Sequence, residues 1–393
     1  MNELAPAAGW LRYRAGMAQH LRRFTLLGGL LALALLVLLI LLWSPHEPET
    51  SPSPGTAEGP ADVAVGEAAA LGADGWATFE AEVMATTVRV TVPRAAAGAS
   101  AEDAAEAVFE VFRRVDAEMS EWQESSPLSE VNRRAGGEAV AVPSELRETI
   151  RRGIEVGELT GGAFDLTWAA LWGLWDFRAA EPRVPAADEI ARRARLVDYR
   201  RVELDEAAGT VRLPEAGMAI GLGGIAKGFA LERSAEVLRA RGLESFLLVS
   251  GGQVYAAGGR TGRGDERPWR VGIRDPRGGP EDLFARLELE DASASTSGDY
   301  ESYFVAGGVR YHHILDPRTG RPARGLRSAT VVAADAVLAD ALSTGIFVMG
   351  PEAGLALAER LPGVEAVLVD DGGRVLVTPG IEDELEILHP PIR

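Results

Sequence analysis

Asp340 and Thr344 lie four residues apart in Ala339-Asp340-Ala341-Leu342-Ser343-Thr344, so a helix over about 335–349 would present a carboxylate and a hydroxyl on one face. Joined by a backbone carbonyl, such oxygens suit Mg²⁺, which prefers oxygen ligands, keeps several waters and recruits substrate phosphates. Leu338, Leu342 and Ile346 are spaced for the buried side of the same helix, and solvated polarity is the plainer reading of Asp340 and Thr344 taken alone.

A second cluster is the glycine loop Gly221-Leu222-Gly223-Gly224-Ile225-Ala226-Lys227-Gly228. Unhindered amides at a helix N-terminus accept phosphate, and Lys227 adds charge. The loop fits the dinucleotide pattern G-x-G-x-x-A. That pattern expects an acid at the end of the next strand, and here Phe246–Val249 runs into Ser250-Gly251-Gly252, which argues against a Rossmann site. A tight turn for close helix packing explains an isolated glycine loop equally well.

His312 and His313 are adjacent, so on a strand they point to opposite faces and do not chelate one zinc ion. One of them is a candidate hydrogen-bond donor or acid–base group, and so is Asp299. Asp316-Pro317-Arg318-Thr319-Gly320 has turn composition, which gives Asp316 a structural reading. Trp168, Trp172 and Trp175 could stack on a flat ring, although their helical spacing also suits a core; Trp122 is a separate candidate wall for a planar ligand.

The elements that must position these groups are legible in outline. Alternation from Phe79 to Val92 predicts one strand, with Val88, Val90 and Val92 on one face. Ser100, with Asp103 three residues on, caps a helix whose stripe is Ala104, Val108, Val111, Phe112, Val115 and Met119. Further helices follow Pro143-Ser144 and the glycine loop. Strands are expected at Phe246–Val249, Trp269–Arg274, Leu283–Leu289, Arg310–Ile314 and Ala329–Ala333. The interleaving without a steady βα rhythm predicts an α+β fold of mixed sheets flanked by helices, one catalytic unit over 75–393 with room for two lobes.

Composition narrows the partners. The chain has 393 residues, 47% of them apolar, and a formal charge of −18, which fits a folded protein and argues against nucleic acid. With no cysteine, disulfides and thiolate chemistry are excluded. Phe24 to Trp43 carries no charge, and roughly 20 apolar residues let a helix cross a bilayer. Arg12, Arg14, Arg22 and Arg23 precede that run, which puts residues 1–23 in the cytoplasm and the remainder outside. Its length favours an uncleaved anchor at 24–43 over a signal peptide, whose apolar region spans about 7–15 residues. Residues 44–74, rich in Pro, Ser, Gly and Glu, read as a flexible stalk. The expected location is therefore the inner membrane, single-pass, with the catalytic part on the periplasmic side.

In order along the chain, Met84-Ala85-Thr86-Thr87, Met119-Ser120-Glu121-Trp122, Leu128-Ser129-Glu130-Val131-Asn132 and Gly162-Ala163-Phe164-Asp165-Leu166-Thr167 precede the glycine loop. Val249-Ser250-Gly251-Gly252, Ser295-Thr296-Ser297-Gly298-Asp299-Tyr300, His313-Ile314-Leu315-Asp316-Pro317 and the Asp340–Thr344 segment follow it. From about Val83 to Leu361 this series resembles the FAD:protein FMN transferase family, the ApbE family. The resemblance implies an enzyme that uses FAD as substrate with Mg²⁺ and attaches FMN by a phosphoester to a Ser or Thr of a target protein, releasing AMP. It implies acceptors among subunits of membrane-bound redox complexes. It would place Asp340, Thr344 and the carbonyl of Gly224 on Mg²⁺. Met84, Trp122, Ala163, Phe164, Asp165, Lys227 and Leu315 would lie around FAD, with Thr296 and Ser297 beside them.

Three positions depart from the pattern: Gly221 stands where Asp is common, Ala85 where Gly is usual, and Trp122 where Tyr is common. Phosphoryl transfer needs positioning and charge neutralisation more than covalent work by the protein, so Mg²⁺, Lys227 and backbone amides suffice in kind. The nucleophile belongs to the partner, with His313 or Asp299 to orient or deprotonate it. Asn132 could set the balance between transfer and hydrolysis. The rival readings are an FAD pyrophosphatase with the same pocket and a non-catalytic flavin-binding protein at the membrane.

Overall fold

Trp76–Val83 (β1) and Thr86–Pro93 (β2) form an antiparallel hairpin where the alternation predicts one strand. The reversal falls on Met84 and Ala85, whose φ angles of 55° and 57° are those of a two-residue hairpin turn. Both arms keep the same two-residue period, so the pattern alone carries no mark of the turn. A computed structural model describes residues 75–94, 100–262 and 265–392. The expected cytoplasmic segment, membrane anchor and stalk at 1–74 lie outside the described residues, among which no helix is long and apolar enough to cross a membrane.

Ser100 caps the helix Ala101–Met119 (α1), its hydroxyl accepting from the Asp103 N–H at 3.0 Å, and the expected stripe is buried. Pro127–Arg133 (α2), Ser144–Leu159 (α3) and Ala226–Ala240 (α4) follow. The strands Phe246–Ser250 (β3), Gln253–Ala257 (β4), Trp269–Arg274 (β5), Leu283–Leu289 (β6) and Ala292–Gly298 (β7) come next. Tyr303–Ala306 (β8) and Val309–His312 (β9) form a separate hairpin. Leu326–Ala333 (β10), Ala336–Met349 (α5), Pro351–Arg360 (α6), Val364–Asp370 (β11), Val375–Val377 (β12) and Leu385–Ile387 (β13) complete the main elements.

One eight-stranded sheet runs β1-β2-β3-β4-β7-β10-β11-β12, and a three-stranded sheet runs β5-β6-β13. The α+β class holds. Every strand pairing in these two sheets is antiparallel, where mixed sheets were expected. Helices lie in the chain between neighbouring strands without making them parallel: β2 and β3 pair antiparallel although α1 to α4 separate them.

The large sheet is buried on both faces. In β3, Phe246 and Leu248 join the core shared with the helices, while Leu247 and Val249 pack with Trp269, Val271 and Phe284 of the small sheet. Such strands read as continuous apolar runs because each face has its own core. Burying one of these side chains stabilises the fold by about 1.5–3 kcal/mol.

Helix α5 departs from its expected amphipathic form. Val337, Ala339, Leu342, Ile346 and Phe347 are buried, and so are Asp340 and Ser343. The helix packs on β7, β10, α3, α4 and α6, leaving no face to solvent along this stretch. The solvated reading of Asp340 is therefore corrected. The tryptophans at 168–175 also lose their helical spacing: Leu166–Leu171 is a 3₁₀ turn, and the chain continues irregularly through Trp175.

Candidate active site

Strand and helix periodicities meet at the centre of the site. Successive odd positions of β7 put Ser295 and Ser297 on the face that meets α5. Ser297 Oγ lies 2.9 Å from Ser343 Oγ and 3.1 Å from Thr344 Oγ1, while Ser295 Oγ lies 3.5 Å from Asp340 Oδ1. Asp340 is 4% exposed, and its Oδ2 accepts the backbone N–H of Gly228 at 2.9 Å. Burial pushes its pKa up, while Lys227, the Gly228 amide and Ser295 pull it down.

The glycine loop enters from the opposite side. Lys227 Nζ donates to the Gly223 carbonyl at 3.0 Å, and Gly224 approaches Thr344 closely enough that a Cβ there would sit 3.4 Å from Thr344 Oγ1. Asp340, Thr344, Ser297 and the Gly224 backbone form an all-oxygen set with a single carboxylate. Among the described residues no cluster of three or more His, Cys, Asp or Glu side chains could hold a metal. This donor set fits Mg²⁺, a hard cation that leaves coordination positions to water and phosphate.

These groups border a cleft of about 420 Å³. Met84, Trp122, Ala163, Phe164, Asp165, Gly224, Lys227, Thr296, Ser297, His313, Leu315, Asp340 and Thr344 all line it, as the sequence predicts. Several act differently from a bare contact residue. Asp165 turns both carboxylate oxygens to the chain, accepting from Thr167 N and Oγ1 at 2.7 and 2.5 Å and from Tyr199 N at 2.9 Å. It shapes the 163–165 loop. Thr296 Oγ1 pairs with Thr330 Oγ1 at 2.9 Å across the sheet. Trp122 is 74% exposed and stacks on Trp172 at 4.0 Å between centroids, which leaves its other face open to a planar ligand.

His313 lies at the cleft edge with its surface exposed, and the protein around it disfavours the imidazolium. That enclosure, reinforced by His312, pulls its pKa down to about 4, with a hydrogen bond to the Ser302 backbone opposing the shift. It is therefore a neutral imidazole near pH 7. His312 is buried and its Nε2 bonds the Ala323 carbonyl at 2.9 Å, in keeping with a structural role.

Two candidates are not brought to the cleft wall. Asp299 is gripped by Arg277, with Nη1–Oδ1 and Nη2–Oδ2 distances of 2.6 and 2.7 Å, and lies outside the lining. That ion pair occupies both of its carboxylate oxygens. Asn132 clasps the extended segment before the glycine loop, donating to the Ile220 carbonyl at 2.9 Å and accepting from the Ile220 N–H at 2.7 Å. It holds the loop and does not face the ligand space.

Glu121, Ser295 and Glu301 line the cleft without a role assigned from the sequence, and Trp168, a candidate stacking residue, lines it too. Glu121 Oε2 faces the Leu222 N–H at 3.4 Å, and burial raises its pKa. The signal for Ser295 was present in the two-residue period of β7. Trp168 explains Gly221: its indole N–H donates to the Gly221 carbonyl at 3.1 Å, and a Cβ at 221 would lie 2.9 Å from the ring. The indole occupies the room that a side chain at 221 would need.

A buried lone carboxylate, a hydroxyl row, a lysine and a glycine-rich helix start, opened to solvent beside an exposed indole, define an α+β enzyme cleft for a phosphate-bearing ligand. The chain belongs to the ApbE family, whose model matches residues 84–368. It is 35% identical over 317 residues to the FAD:protein FMN transferase of Treponema pallidum, covering 78% of this chain and 88% of that protein. The Vibrio cholerae protein of the same name is 33% identical, with 67% and 78% covered. Among solved structures, the ApbE protein of Thermotoga maritima superposes with a TM-score of 0.72 at 35% identity, covering 79% of this chain and 99% of that one. The Pseudomonas stutzeri flavinyl transferase gives 0.70 at 31% identity, with 79% and 97% covered.

Proposed function

We propose that this chain is a Mg²⁺-dependent transferase that moves the FMN part of FAD onto a Ser or Thr hydroxyl of a target protein and releases AMP. The observation that carries the reading is buried Asp340, bonded to the Gly228 amide and Ser295, in the same cleft as the Ser297–Thr344 pair, Lys227 and Trp122. Family membership and the names of the relatives support it.

The residues divide the work. Trp122 offers a stacking face for a ring, and the loop amides with Lys227 receive the pyrophosphate. Asp340, Thr344, Ser297 and the Gly224 carbonyl would hold Mg²⁺, which would neutralise phosphate charge. The acceptor oxygen bonds to the phosphorus on the FMN side, the bond from that phosphorus to the bridging oxygen breaks, and AMP leaves with the electron pair. The hydroxyl proton passes to the neutral imidazole of His313 or to water. The apolar run at 24–43 supports a membrane-tethered, periplasmic setting, with redox-complex subunits as the target class.

The test is incubation with FAD, Mg²⁺ and a candidate acceptor, followed by a denaturing gel. A flavin-fluorescent acceptor band is expected; free FMN with no labelled acceptor would favour hydrolysis.

A further inference from the structure

The β8–β9 hairpin is not used by the cleft chemistry, yet both of its roots border the cleft: Glu301 precedes β8 and His313 follows β9. It pairs with no other strand among the described residues. Phe304 and Tyr311 anchor one face on Trp175, with centroids 6.4 and 5.6 Å away. The other face exposes Tyr303 and Val305, the latter 61% accessible, with Arg310 lying 3.8 Å over the Tyr303 ring. An anchored hairpin with an exposed apolar face is a rigid ledge at the cleft mouth.

Its charge is the reverse of the whole protein's. The chain carries −18, yet residues 303–327 hold five arginines and a single acid, Asp316. Arg310 lies 3.8 Å from the Asp299 carboxylate, Arg318 pairs with Asp316, and Arg327 is buried against carbonyls. Arg321 and Arg324 are exposed, and among the described residues no carboxylate pairs with either. Arg324 lies over the ring of Tyr311, 5.5 Å from its centroid, which places it against the hairpin. Arg324 thus flanks the hairpin on its Tyr311 face while Tyr303 and Val305 are exposed on the other, and an unpaired guanidinium and apolar side chains on one hairpin are suited to an acidic, partly apolar polypeptide.

We propose that the β8–β9 hairpin with Arg321 and Arg324 is the docking surface for the acceptor protein, and that the segment it takes is acidic with apolar residues interspersed. The inference rests on the transferase reading, which requires a second, macromolecular substrate to enter at this mouth. The ledge is continuous with the cleft through His313, so a segment seated on it brings its hydroxyl towards the phosphate site. Local attraction matters here because the negative field of the whole protein repels an acidic partner elsewhere.

The experiment measures binding of two dye-labelled peptides to the full-length chain by fluorescence anisotropy. Each peptide has one central threonine in an Ala/Leu background, one with four aspartates and the other with four lysines. The acidic peptide should bind at least about tenfold tighter at low salt, with the advantage fading as salt screens it. R321E/R324E and, separately, V305E should weaken that binding by about tenfold or more and leave FAD binding and FAD cleavage unchanged. Equal binding of the two peptides, binding of neither, or an affinity unaffected by R321E/R324E overturns the proposal. If the double variant instead loses a preference for anionic over neutral phosphatidylcholine vesicles and keeps its peptide affinity, the surface meets lipid and the proposal fails. Failure of the unaltered chain to bind or cleave FAD would refute the transferase reading instead.

Discussion

The backbone N–H of Gly228 donates to Asp340 Oδ2 at 2.9 Å, and a Cβ on Gly228 would lie 2.3 Å from the Ala336 carbonyl oxygen. The first turn of α4 thus rests directly on α5, and only glycine permits the approach. This contact orients the Asp340 carboxylate beside Ser295. Gly228→Ala is expected to separate the two helices and to lose FAD turnover by at least about 100-fold, since small misplacements of reacting groups carry such a cost. Steady-state turnover and Mg²⁺-dependent melting of the variant check this; wild-type values for both would refute the role of the contact.

Asp340 makes the response to Mg²⁺ depend on pH. Its folded pKa is raised, chiefly by burial, so without a cation the folded protein binds this proton more tightly than the unfolded chain. The stability contribution of this group is then full below its unfolded pKa and declines as pH rises through the folded value. Mg²⁺ binds only the carboxylate, so the Tm gain on adding Mg²⁺ should grow as pH rises through the raised Asp340 pKa. Asp340→Ala should remove the gain and the turnover together while the chain still folds. A Mg²⁺ shift that survives this substitution would withdraw Asp340 from the cation site.

His313 and Asp299 can be separated by kinetics. His313→Gln should lower transfer by about 100- to 10,000-fold if its imidazole takes or orients the acceptor proton. Its depressed pKa keeps it neutral above about 5, so this group should leave the rate flat from pH 6 to 8 and depress it under more acid conditions. The same shift means that its stability contribution declines as pH falls below the ordinary histidine value. Asp299 calls for a different expectation. Arg277→Ala should destabilise the fold, since the buried Asp299 carboxylate would keep only Arg310, at 3.8 Å, as a cationic partner. The paired Arg277→Leu, Asp299→Asn variant should keep most of the turnover, and a collapse in kcat of a well-folded pair would return Asp299 to the list of bases.

Gly221 and Trp168 form a size-matched pair. A side chain at 221 meets the indole at 2.9 Å, so Gly221→Ala should destabilise the protein by about 1–3 kcal/mol, the usual cost of overpacking. Trp168→Val in the same chain should recover most of that loss. A double-mutant cycle by urea denaturation reads the coupling, and strict additivity would show that the two residues are independent.

Much of the fold was legible in the chain because local signals are strong where one residue settles a boundary. Ser100 with Asp103 marked a helix start, and Pro143-Ser144 marked another. The β1–β2 turn was hidden because Met84 and Ala85 are neither Gly nor Asn, although both take positive φ. The burial of α5 was hidden for a different reason: a helix covered by a sheet and three other helices has no polar face to reveal its orientation. The site was legible through the order of its motifs, and thirteen of the fifteen assigned residues line one cleft. Asn132 and Asp299 lie outside that lining, held by Ile220 and Arg277, partners remote in sequence or in a different element.

The sequence by itself determined the family, the helix caps, the strand alternation and the residue types on which the chemistry depends, because each is encoded within a few neighbouring positions. Tertiary structure alone decided which of those groups are free. Asp340 and Asp299 are both buried carboxylates, yet one faces hydroxyls and an amide beside an open cleft while the other is neutralised by a guanidinium. Their availability follows from long-range packing, which fixes the charge and solvent around each group and leaves no trace in local spacing.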